Sequence, residues 1–265
     1  MDTSRPCTKD EYKVKNFLLD YHSPRDFVIF QHCGTTLPYL VWRVFWALYH
    51  LIWIILTGVY SWQWAGDDPE QQVKWFIFLT EWCFFVLTVS TLVDAACVIF
   101  INFCRVDIKN DITNEMTWYL KANWVIFNAA NSAALVVTLA YWGLVYTGGS
   151  VTVVDVITHG INAVYVIVNV IVSSVPIRIY HFFHGVIFGV VYAVFTVIYY
   201  AAGGTNHQDK AYIYPVLDWN SPGLTLAYCV AVIFVAMPLC HFLIYGIYAL
   251  RRCTCRKHTS QSYAV

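Results

Sequence analysis

The chain has 265 residues, 59% of them hydrophobic and 12% charged, with a formal net charge of zero. A soluble domain carries roughly 25% charged residues, so the composition excludes a soluble globular protein, and the neutral balance gives no basis for nucleic-acid binding. Six apolar stretches dominate, at residues 38–60, 73–101, 118–145, 151–175, 181–201 and 224–250, each long enough to cross a bilayer core, which takes about 20 residues as a helix.

Taken in order, residues 1–36 are polar and carry Arg5, Lys9, Lys13, Lys15 and Arg25, with no short apolar core of a cleavable signal. Within them, residues 12–27 read either as a short amphipathic helix at the membrane interface, with Phe17, Leu18 and Tyr21 near one face, or as a plain linker. The first span holds His50, expected to hydrogen-bond across helices. Asp67, Asp68 and Glu70 follow in the first connection. The second span carries Thr80, Glu81 and Asp94, and the basic connection after it holds Arg105 and Lys109. Asn123, Asn128 and Asn131 lie in the third span, and an uncharged turn precedes the fourth, with His159, Asn162 and Asn169. Pro176 ends that span, because proline disfavours helix at the residue before it. Arg178, His181 and His184 lead the fifth span. A long loop with the single cation Lys210 precedes the sixth, which contains His241. The tail holds Arg251, Arg252, Arg256 and Lys257.

Cationic residues therefore concentrate on alternate connections and at both ends. Positive charge marks the cytosolic side, so the expected fold is an all-α integral membrane protein. It is a bundle of six transmembrane helices with both termini cytosolic. The expected organisation is a cytosolic segment 1–36, a transmembrane domain 37–250 and a disordered cytosolic tail 251–265. The outer loops contain no Asn-x-Ser/Thr glycosylation acceptor. Of nine cysteines, Cys104, Cys253 and Cys255 flank the cytosolic face and are candidates for S-acylation or plain reduced thiols.

Polar side chains inside hydrocarbon need partners. On the second span, Thr80 is expected roughly 10 Å below the outer end, and on the fourth His159 roughly 12 Å below, with Asn162 one turn further on the same face. A hydroxyl beside an imidazole is the arrangement that activates a weak nucleophile. Thr80, His159 and Asn162 are thus a candidate catalytic set; backbone-bonded Thr and a helix-bridging His are the plain alternative. Near the inner edge, Asp94, His181, His184 and His241 are a candidate metal set, with zinc as the implied ion. The alternative there is an Asp94–Arg178 ion pair. GxSxG, HExxH, P-loop and dinucleotide motifs do not occur.

The runs His159-Gly-Ile-Asn162 and Val175-Pro-Ile-Arg178 with His181 resemble the rolling stone family of multi-pass membrane proteins. So do Gly203-Gly204, residues 212–219 (Tyr-Ile-Tyr-Pro-Val-Leu-Asp-Trp) and Pro222-Gly223. That resemblance covers nearly the whole chain. It implies a role in cell–cell fusion of the kind that joins myoblasts, a plasma-membrane location, and a cell-surface or homo-oligomeric partner. A more distant similarity, through residues 75–80 and a Tyr-Pro motif followed by Pro-Gly, is to the androgen-induced gene family. That similarity implies an intramembrane hydrolase of lipid esters or amides in the endoplasmic reticulum, using Thr80. Of that family's two histidines, the first falls on His159 and the second on Asn162. Membrane lipids are the expected surroundings in either case, and a lipid is the expected substrate in the second.

Overall fold

The computed structural model describes residues 11–31, 35–61 and 68–262, without the side chains of 253–262. Six helices are long and apolar enough to span a membrane: α1 Leu37–Tyr60, α2 Leu79–Cys104, α3 Trp118–Val145, α4 Val153–Val172, α5 Ile179–Ala201 and α6 Pro222–Arg252. Helical backbone continues beyond α6 to Ser262. Among the described residues there is no strand, and a single bridge pairs Phe30 with Ser173.

The bundle is built around α3, which packs on α2, α4, α5 and α6. Its most apolar window is 67% buried inside the protein, against 28% for α1, α5 and α6. The reason is in its side chains. Ala129, Ala130, Ser132, Ala133 and Ala134 are all buried, and small residues let neighbouring backbones approach where no hydrophobic force joins helices. By contrast α5 leaves Ile187, Val190, Val191 and Val194 exposed, at the i, i+3, i+4, i+7 spacing of one helical stripe. In a bilayer that stripe meets lipid.

Gly185 and Gly189 line the opposite side of α5. A Cβ on Gly185 would lie 3.2 Å from the Ser132 Cβ of α3, and one on Gly189 would lie 2.9 Å from Ile233 of α6. The two glycines set how closely α5 approaches both neighbours.

Two differences from the sequence reading bear on the site. Residues 12–27 do not form an amphipathic helix lying on a membrane. They make two short 3-10 turns, Val14–Phe17 and Pro24–Phe27, and fold across the basic end of the bundle. Phe27 and Val28 are buried there, and Phe17 stacks on Tyr180 at 4.1 Å. Gln31 N–H donates to the Val172 carbonyl. Second, α2 starts at Leu79 rather than near residue 73. Val73–Ile77 is a 3-10 turn and Phe78 is extended. Side chains take the backbone groups that a longer helix would use: Trp82 Nε1 donates to Phe76 O at 2.8 Å, and the Tyr192 hydroxyl to Ile77 O at 3.0 Å.

Candidate functional site

Polar side chains gather at three places in the bundle. Nearest the basic end is a buried ion pair between Arg43 of α1 and Asp94 of α2, 2.9 Å apart and each 1% exposed. Asn123 Nδ2 donates to the same carboxylate at 2.7 Å. The guanidinium donates to the hydroxyls of Tyr39 and Tyr165. Asp94 is therefore not paired with Arg178, whose guanidinium donates to the Asn16 side chain and the Asp20 carbonyl. The cause is adjacency: α1 packs along α2, whereas α5 packs on α3 and α6.

The second place is a histidine group. The His181 and His184 rings lie 4.9 Å apart. His241 Nε2 donates to the Arg178 carbonyl at 2.8 Å, and Asn128 Nδ2 lies 3.2 Å from His181 Nδ1. Asp94 does not join them, because its carboxylate is held by Arg43 and Asn123. Among the described residues no three His, Cys, Asp or Glu side chains are arranged to hold a metal ion; of the candidate ligands His181 and His184 are neighbours, and Asp94 is held by Arg43 and Asn123. His50 also departs from expectation. Its Nδ1 donates to Trp46 O of its own helix at 2.9 Å rather than across helices, and its ring packs on Tyr165.

The third place, at the opposite end, is a half-open cavity of about 340 Å³ between α2, α3, α5 and α6. Its wall is almost wholly apolar. Thr80 and Tyr214 lie at its loop end, Gly189 and Met237 deeper in the bundle. The volume falls within the roughly 300–1,000 Å³ of ligand sites. Thr80 is the second residue of α2, so it sits at the helix start rather than two turns in. The Tyr214 hydroxyl accepts the Leu79 N–H at 3.0 Å, one residue before Thr80. It thereby serves the free N–H groups that every helix start presents.

His159 does not line this cavity. Its ring is stacked on Tyr141, with centroids 3.7 Å apart and planes 3° from parallel, and it is Tyr141 that faces the cavity. Both residues lie in π-helical turns, Tyr141–Val145 and Ile157–Ile161. A π turn breaks the regular carbonyl ladder, and Trp142 Nε1 donates to the His159 carbonyl at 2.9 Å. Asn162 Nδ2 donates to Thr158 O in its own helix. The catalytic candidates are thus divided: Thr80 lines the cavity with Tyr214, His159 packs on Tyr141, and Asn162 turns back on α4. A third π turn, Val232–Ala236, borders the cavity from α6. Pro238 accounts for it, since proline lacks an N–H and clashes with the carbonyl four residues earlier, that of Phe234.

A folded loop covers the same end. Lys74 Nζ meets Thr205 Oγ1 at 2.9 Å and the Asp209 carboxylate at 3.4 Å. Hydrogen bonds from Gln71 and then Lys74 hold the Asp209 carboxyl below its usual range. Tyr200 donates to Asn220, and Trp219 Nε1 to Thr196 Oγ1 at 3.2 Å. Sequence reasoning missed Arg43, Tyr214 and Tyr141. Arg43 stands within two turns of its span's end, where a lone cation reads as snorkelling to the headgroups.

Comparison with known proteins follows the same outline. A family profile described as "Protein rolling stone" matches residues 7–263. The chain is 30% identical over 227 residues to a protein named "Protein rolling stone" from Drosophila melanogaster, covering 81% of this chain and 78% of that one. No solved structure matches the chain.

Proposed function

The chain belongs to the rolling stone family, and on that premise we propose that it is a plasma-membrane protein that takes part in the fusion of neighbouring cells, myoblasts among them. It acts through contact rather than through a reaction of its own. The observation that carries this reading is the tied loop end: a surface fixed to the bundle through Lys74, Asp209, Tyr214 and Trp219. A recognition surface must be ordered before it can be specific, since ordering on contact subtracts from affinity. With the basic segments cytosolic, that surface faces the neighbouring cell. The partner is a cell-surface protein or a second copy of the chain.

The test is rescue of multinucleate cells in a fusing culture depleted of its own rolling stone protein. The full chain should restore fusion, and Lys74→Ala with Asp209→Ala should lose it at equal surface level. No rescue by the full chain at the cell surface would defeat the reading. Intramembrane lipid hydrolysis is the second reading, favoured by the position of Thr80 on the cavity wall and opposed by the stacking of His159 on Tyr141, outside the cavity lining. In the same assay, loss of rescue by Thr80→Ala at equal surface level, together with loss of lipid turnover by the purified protein, would replace the first reading with the second.

A further inference from the structure

We infer that the cavity between α2, α3, α5 and α6 binds a single-chain lipid, with its hydrocarbon tail along the bundle axis and its oxygen-bearing end at the Tyr214 hydroxyl. The cavity's direction is the first argument. It runs from Thr80 and Tyr214, at the loop end, to Met237. Its lining on α6 runs from Tyr228 to Met237, nine residues apart, roughly 14 Å along a helix rising 1.5 Å per residue. A site running along the depth of the bilayer and walled by apolar side chains matches a lipid tail. Water has few polar partners in it.

Hydrogen-bond accounting selects the chemistry at the polar end. The Tyr192 hydroxyl is spent on Ile77 O, and Thr196 Oγ1 donates to Ala193 O while accepting from Trp219. Tyr214 differs. Its oxygen accepts the Leu79 N–H, and among the described residues it makes no hydrogen bond in which its own O–H donates. The matching ligand group is an oxygen acceptor: a carboxylate, an ester or a hydroxyl. A free fatty acid and a lysolipid share that chemistry.

The experiment uses the purified full-length protein in nanodiscs and a palmitic acid analogue carrying a mid-chain diazirine. Saturable crosslinking should map to Tyr141 and to the segment around Cys229, both on the cavity wall. Unlabelled palmitate and a lysophosphatidylcholine, competed separately, distinguish the two sources. Ala193→Phe, which fills the cavity, should abolish labelling without lowering the thermal unfolding midpoint; Val232→Phe serves where the first variant does not fold. Tyr214→Phe should weaken competition by palmitate about fivefold, the worth of one hydrogen bond, and leave competition by hexadecane unchanged. Unsaturable labelling, labelling that survives a folded cavity-filled variant, or crosslinks confined to the lipid-facing Val190 and Val194 would overturn the inference. Fusion rescue is not the readout, so failure here and failure of the fusion reading are distinguishable.

Discussion

Arg43 and Asp94 are buried to the same degree and face each other at 2.9 Å. Removing one partner strands a charge in a low-dielectric interior, whereas replacing both with apolar groups is often neutral. Arg43→Met should therefore lower the stability of the detergent-purified protein by about 3–5 kcal/mol. The double variant Arg43→Met, Asp94→Leu should regain most of that loss. Unfolding curves read by tryptophan fluorescence check both values; equal losses in the single and double variants would show that the pair is not coupled. The sequence exposed half of this arrangement. Asp94 and Asn123 stand out as polar groups inside spans. Arg43 does not, because a cation within two turns of a span's end is explained by snorkelling to the headgroups. Depth along one helix also says nothing about which helix stands beside it, and Arg178 leads a helix that packs on α3 and α6 rather than on α2. Thr80 was displaced for a related reason. The apolar stretch starts at residue 73, but the helix begins only where Trp82, Tyr192 and Tyr214 stop claiming the backbone.

Helix contacts carry their own predictions. Gly189→Val would drive a branched side chain into Ile233, 2.9 Å from where its Cβ would stand. Overpacking of this kind costs about 1–3 kcal/mol, so the variant should melt earlier than Gly185→Ala, whose new methyl meets Ser132 at 3.2 Å. An equal effect of the two substitutions would show that α5 can shift as a body. The segment ahead of α1 adds a pH dependence. Asp26 accepts from Tyr21 at 2.9 Å and from Ser23 at 3.0 Å, and burial raises its carboxyl above the ordinary 3.8 despite those bonds. A raised acid binds its proton more tightly in the folded state, so its contribution is complete below about 3.8 and is lost as pH rises through the folded value. Amide protection of residues 21–28, taken relative to the intrinsic exchange rate at each pH, should fall over that rise. Asp26→Asn should flatten the slope, and an unchanged slope in that variant would assign it to another group. The sequence indicated an amphipathic character here, in Phe17, Leu18 and Tyr21. It did not indicate that the partner would be the bundle end rather than lipid.

The number of spans and their approximate limits were legible throughout, because hydrocarbon thickness imposes a length that no tertiary contact overrides. Sidedness is a testable extension. A glycosylation acceptor inserted in the 203–221 loop should be modified in cells, giving an endoglycosidase-sensitive gel shift, and one placed after residue 257 should not. The reverse pattern would invert the topology. What hydropathy did not convey is that α3 is the centre. It is the least apolar of the six spans and the most enclosed, and enclosure explains the polarity, since Asn123, Asn128, Asn131 and Ser132 all lie within protein. This has a consequence for biosynthesis. The helix that every later one needs is made third and is the poorest candidate to partition into lipid alone. Two of its neighbours, α5 and α6, are still untranslated when it reaches the insertion machinery. A nascent chain arrested with α1 to α3 clear of the ribosome and α5 and α6 not yet made should stay associated with that machinery, and lesions in α6 should send the whole protein to degradation rather than leave a partial bundle behind.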